Sequence, residues 1–74
     1  MKQAIEKRLN ELSTKLDNKG CKHDLNDLKF VICSEFKRTP YMQNSLNYFH
    51  FIENLNIDQL IHYLNCYEDM KVKQ

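Results

Sequence analysis

The sequence predicts an all-α fold: a compact single domain of four short helices, or of three with the third broken. Apolar residues recur at three- and four-residue intervals along most of the chain, the period of a helix face. Only one glycine and one proline punctuate it. Side chains that cap free helical amides (Asp24, Thr39 and Asn56) stand just before three of the periodic runs. At 74 residues there is room for one domain, residues 1–74, and no second. A chain of that length buries only about 60% of its unfolded surface, so the core is small.

The first run, KQAIEKRLNELSTKLDN, spaces Ile5, Leu9, Leu12 and Leu16 four, three and four residues apart. That is one narrow seam on a helix otherwise rich in Glu, Lys, Arg and Gln, which have good helix propensity. Gly20 follows, and glycine readily takes the left-handed conformation that ends helices. The seam covers barely two heptads, so it is compatible with a coiled coil without requiring one.

The second run begins at His23-Asp24, with Asp24 as cap and Asp27 three residues on. Leu25, Leu28, Ile32 and Phe36 share a face, with Val31 at its flank. Phe30-Val31-Ile32-Cys33 would also suit a short strand. The four-spaced apolar residues extend past both ends of that stretch, so a helix is expected.

Thr39-Pro40 is the clearest boundary. Proline disfavours helical geometry at the residue before it and suits the first turn of a new helix, with Thr39 as cap. A third helix is therefore expected from Pro40 to about Asn54. A fourth follows Asn56, with Gln59 as its capping-box partner and Ile57, Leu60, Ile61, Leu64 and Tyr67 as its apolar face. Lys71 and Lys73 place cations in its last turn, where the helix dipole favours them. Linkers of roughly five, one and two residues imply neighbouring helices folded back on one another, with a sharp bend at Thr39.

The third run contains SLNYFHFIENLN and divides its apolar residues between two stripes at about 100° per residue. Met42, Leu46, Phe49 and Ile52 form one; Tyr41, Tyr48, Phe51 and Leu55 form the other. Gln43, Asn47, His50 and Asn54 make the continuous polar face. A surface helix of a small domain needs one apolar stripe, and this one has nearly two. Either the helix is central and packed on both sides, or the second stripe is a docking patch or homodimer seam. Tyr and Phe suit docking because they bring large area at low entropic cost. Phe30, Tyr63 and Met70 are further apolar residues at the edges of their helices' main faces.

Net charge is +1, unevenly spread. Residues 1–40 carry nine Lys/Arg against six Asp/Glu, residues 41–74 carry two against four, and none of the two cations lies between Thr39 and Met70. This balance gives no general drive toward nucleic acid or an anionic membrane. No apolar run approaches the ~20 residues of a membrane span. Three cysteines without disulfide-framework spacing, and an amino terminus without an apolar signal core, lead us to expect a cytoplasmic protein with reduced thiols. Nine lysines to two arginines, eight asparagines and single alanine and glycine residues are the usage of an AT-rich genome, such as that of a phage or other mobile element.

Cys21-Lys22-His23 and the His62/Cys66 pair together contain a two-Cys, two-His donor set. His62 and Cys66, four apart, share a helical face, but that face is opposite the apolar one, and the first half lacks the usual ligand spacing. Four good helices need no metal to fold, so no metal or cofactor is expected. Catalytic signals are equally sparse. One glycine cannot build a phosphate loop, and neither paired carboxylates nor a nucleophile elbow stands out.

The function expected is therefore non-enzymatic: a small regulator, inhibitor or adaptor, that binds another protein through Tyr41, Tyr48, Phe51 and Leu55. The alternative is a small DNA-binding regulator of helix-turn-helix type, using Gln43, Asn44 and Asn47 on base edges and Lys29, Lys37 and Arg38 on phosphates. The cation gap disfavours it. A third class is structural self-association, as a homodimer, through the aromatic stripe.

Overall fold

The computed structural model describes residues 1–73, and side chains through Met70. It contains α1 (Lys2–Asn18), α2 (Leu25–Lys37), α3 (Ser45–Glu53) and α4 (Ile57–Lys73), and no strand among the described residues. The stretch 30–33 is helical, as its flanking periodicity predicts.

The end of α1 follows from Gly20, whose φ is +75°. Its N–H donates to Asp17 O at 3.0 Å, and the N–H of Cys21 donates to Leu16 O at 2.9 Å. These are the two bonds of a Schellman termination, and they require a left-handed residue at this point. His23 then folds back onto α1. Its Nδ1–H donates to Cys21 O at 3.1 Å, and Nε2 pairs with the Ser13 hydroxyl at 2.7 Å. Asp24 caps α2 by accepting from the Asn26 N–H at 2.8 Å, and Asn56 caps α4 by accepting from Asp58 and Gln59 N–H. α4 extends through Lys73; the side chains of Lys71 and Lys73, and Gln74 entirely, lie outside the described residues.

The start of α3 differs from expectation. Residues 38–44 are irregular, and the helix begins at Ser45 rather than Pro40. Thr39 turns backward instead of forward: its hydroxyl donates to Phe36 O at 2.7 Å and closes α2. Asn44 caps α3, accepting from the Asn47 N–H at 2.8 Å. Asparagine is the better capping residue of the two, and here it is the one with an unsatisfied helix terminus within reach. Tyr41 and Met42 therefore stand in a loop, where a helical wheel does not apply.

The core is almost wholly aliphatic. Leu9, Leu12 and Leu16 of α1 meet Leu28, Val31 and Ile32 of α2, Ile52 of α3 and Leu60 and Leu64 of α4. Phe36 is the one buried ring among the eight aromatic residues. Leu25, placed on the core face by its spacing, is exposed at the start of α2. The central helices are α1 and α2, each packed on the other three, while α3 packs only on those two and not on α4. A central α3 is thus corrected: only Ile52 of that helix reaches the buried core. The radius of gyration, 12.2 Å, is close to the ~11 Å of a compact chain this long.

Two cations from α1 and its following turn reach across to the acidic half. Arg8 Nε donates to Ile52 O at 3.0 Å and its Nη2 to Glu53 O at 3.1 Å, which satisfies carbonyls at the end of α3. Lys19 Nζ lies 2.9 Å from the Asp58 carboxylate in the first turn of α4. The first interaction is largely shielded from water and the second is open to it.

Arg8→Met is expected to lower unfolding free energy by about 1.5–3 kcal/mol, the range for charge-assisted hydrogen bonds. Arg8→Lys should recover little, because an ammonium cannot span two carbonyls as a guanidinium fork does. Lys19→Ala should cost under about 1 kcal/mol. Urea denaturation of the three variants checks this order, and an equal loss at Lys19 would remove Arg8 from its special position.

Candidate functional site

The loop 38–44 is held by side-chain amides. Gln43 Nε2 donates to Tyr41 O at 3.0 Å, and Asn47 Nδ2 donates to Met42 O at 2.9 Å. This fixes the backbone while leaving the Tyr41 and Met42 side chains 61% and 74% exposed. Asparagine and glutamine can do this where the backbone has no ladder to join.

The rings of α3 divide by partner. Tyr48 and Phe51 flank the buried Phe36, with centroids 5.4 and 5.5 Å away. Phe49 packs against the core from the α1 side, and His50 points to solvent, its Nδ1 3.6 Å from the Glu53 carboxylate. Three of the four predicted binding residues then converge. Tyr41, Phe51 and Leu55 line one groove between α3 and α4, closed on the far side by Tyr63. Its volume is about 490 Å³. Tyr48 does not line it; that ring is turned to Phe36 and Cys33 and fastens α3 to α2. The groove exists because α3 and α4 do not pack on each other, so the rings between them are half-covered rather than buried.

The rim is polar and uncharged by any lysine or arginine. Asn47, His50 and Asn54, three members of the predicted polar face, run along the α3 side, and Gln59 stands on α4. Tyr63 and Gln59 escape sequence reasoning as groove residues. Tyr63 reads only as an edge residue of its helix and Gln59 only as a capping partner; nothing local signals that the neighbouring helix diverges.

A second groove, of about 670 Å³, lies between α2 and α4. Phe30 and Tyr67 meet across it, tilted by 42° with centroids 5.4 Å apart, and Met70 also lines it. His62 Nε2 and Cys66 Sγ sit side by side on α4, 3.7 Å apart. Cys66 is exposed. His23 and Cys21 are committed to the turn after α1, and burial first, then the Asp17 carboxylate, raises the Cys21 thiol above its ordinary range. Among the described residues no three His, Cys, Asp or Glu side chains gather as a metal-binding set.

Burial, then the nearby Cys33 sulfur and the hydrogen bond with it, pushes the Tyr48 phenol up to about 12. The phenol is neutral when protonated, so the unfolded chain loses this proton first. Stability should therefore fall as pH rises from about 10 toward 12. A difference titration of phenolate absorbance, wild type minus Tyr48→Phe, should show the late transition, and urea midpoints should fall less in the variant above about pH 10. A Tyr48 transition at the ordinary value of about 10 would show that the ring is not held in this setting.

Comparison of the chain with protein-family models, with curated proteins and with solved structures finds no match.

Proposed function

We propose that the chain is a small non-enzymatic protein-binding regulator, an inhibitor or adaptor, that receives an apolar side chain of a partner polypeptide in the α3/α4 groove. The observation that carries this reading is the convergence of Tyr41, Phe51, Leu55 and Tyr63 on one concave surface. The half-buried rings of Phe51 and Tyr63 provide apolar area without the entropic cost of ordering flexible side chains, and the exposed Tyr41 stands at the edge. The amides of the rim, Asn47, Asn54 and Gln59, surround it with groups able to meet a partner's main chain. The acidic residues Glu53 and Asp58 do not line it: Glu53 faces the α1 side with Arg8, and Asp58 pairs with Lys19.

Of the four residues expected to bind, Tyr41, Phe51 and Leu55 keep that role, and Tyr48 becomes the support behind them. DNA recognition is less well supported. The amide donors of Gln43 and Asn47 are engaged within the loop, and α3 carries no cation for phosphate. No helix among the described residues is long and apolar enough to cross a membrane. A cytoplasmic setting, and an origin in a phage or other mobile element, belong to the same proposal and rest on cysteine usage and composition alone.

Peptides selected from a random library on the immobilised protein test the groove. Selected peptides should share an aromatic or large aliphatic anchor, and Tyr41→Asp should weaken them at least about tenfold, a loss of ~1.4 kcal/mol. Tyr41 lies outside the helices and is exposed, so circular dichroism should be unchanged. Affinity should barely change between about 50 and 500 mM salt, whereas phosphate-type binding falls steeply. Peptides indifferent to Tyr41→Asp and Leu55→Asp would place binding elsewhere.

A further inference from the structure

Further along α4, in the α2/α4 groove, His62 and Cys66 stand at the separation of a chelating pair. They are four residues apart on one helix face, both exposed, with Nε2 turned to Sγ at 3.7 Å. A tetrahedral zinc ion with Zn–S of about 2.3 Å and Zn–N of about 2.0–2.1 Å sets its sulfur and nitrogen ligands about 3.6 Å apart. The separation of the pair matches that bite, and binding turns an unprotonated Nε2 from the sulfur toward the ion. The pair supplies two donors of the four that zinc takes, and no third gathers around it among the described residues.

We propose that His62 and Cys66 are half of a zinc site that a second copy of this chain completes. A two-fold axis through the ion presents the same two donors from each copy and yields a Cys2His2 tetrahedron without any further residue. Each Cys66 thiol gives its proton to water as its sulfur bonds zinc, and each imidazole binds as the neutral ring. The surroundings suit contact between copies. Phe30 and Met70, 58% and 63% exposed, stand in the same groove as the chelate, and Arg38 lies at its rim 3.6 Å from Glu35. An isologous interface brings each such apolar side chain and each charge toward its symmetry-related neighbours.

Those side chains alone do not make a dimer. Two partly exposed residues fall well short of the ~800 Å² per partner that stable interfaces bury. The ion is therefore the link that makes association stable, and the apolar patch adds to it. This groove shares only Tyr63 with the α3/α4 groove, and the inference does not depend on the function proposed there.

The test uses the full chain kept reduced with a phosphine, so that no Cys66 disulfide can mimic the result. Cobalt(II), as a spectroscopic probe, should give a thiolate-to-metal charge-transfer band and the intense visible bands of a tetrahedral ion, saturating at one metal per two chains. Sedimentation velocity should show monomers with chelator and dimers with zinc. His62→Ala and Cys66→Ser, both at exposed positions, should each abolish the bands and the dimer with the helical content unchanged. Phe30→Asp should weaken the zinc dimer. Binding of one metal per chain to monomers, dimers that persist with chelator or in both ligand variants, or the absence of the thiolate band would each overturn the proposal.

Discussion

The arrangement of this domain depends on the Arg8 guanidinium. α3 has nine residues, too few for a helix to be stable in water without tertiary support. It contributes one buried side chain, Ile52, to the core. Arg8 binds the main chain at that same residue and the next, so the buried side chain and the capped carbonyls fix the helix at its carboxyl end together. At the amino end Asn44 supplies the cap. The rings of α3 are placed by these anchors, and Phe36 supports Tyr48 and Phe51 from behind.

The uneven charge has its explanation here. The segment between Thr39 and Met70 has no cation to complement the carboxyl end of α3 or to pair with Asp58. Arg8 and Lys19, from the basic half, do both. The two do not weigh equally. A guanidinium shielded from water and bonded to two carbonyls contributes more than an exposed ammonium beside a carboxylate, because the second pair is screened by solvent. What looks in the sequence like a polarised surface is in part a connection between the two halves of one small core.

Most of the fold is legible because it rests on local signals. The seam of α1, the stop at Gly20 and the caps at Asp24 and Asn56 each involve residues within a few positions of one another, and each is found where expected. The start of α3 is not legible for the opposite reason. Thr39 and Asn44 are both capable caps, and the choice between them depends on the Phe36 carbonyl and on the Gln43 and Asn47 amides that hold the intervening loop. The same applies to the candidate site. That Tyr41, Phe51 and Leu55 share a surface is readable from spacing in part, even though Tyr41 is not helical. That Tyr48 leaves them for Phe36, and that Tyr63 joins them, depends on which helices pack and which diverge.

Size explains why so many rings are left half-covered. Among the described residues ten, nine of them aliphatic, fill the buried interior, and a chain this short has little interior to offer. Rings larger than leucine are then placed at the junctions between helices, where one face meets the core and the other meets water. α4 borders two such junctions, and Tyr63 lines both. One helix therefore carries an aromatic groove on its α3 side and an exposed His–Cys pair among apolar residues on its α2 side. In a larger protein either feature would be covered by a further layer of structure. The chemistry differs between the two: a neutral apolar recess toward α3, and an exposed imidazole–thiol pair toward α2. A single helix can serve both because the α3 groove takes Gln59 and Tyr63 near its amino end and the α2 groove takes residues from His62 to Met70 further along, the two sets overlapping only at Tyr63.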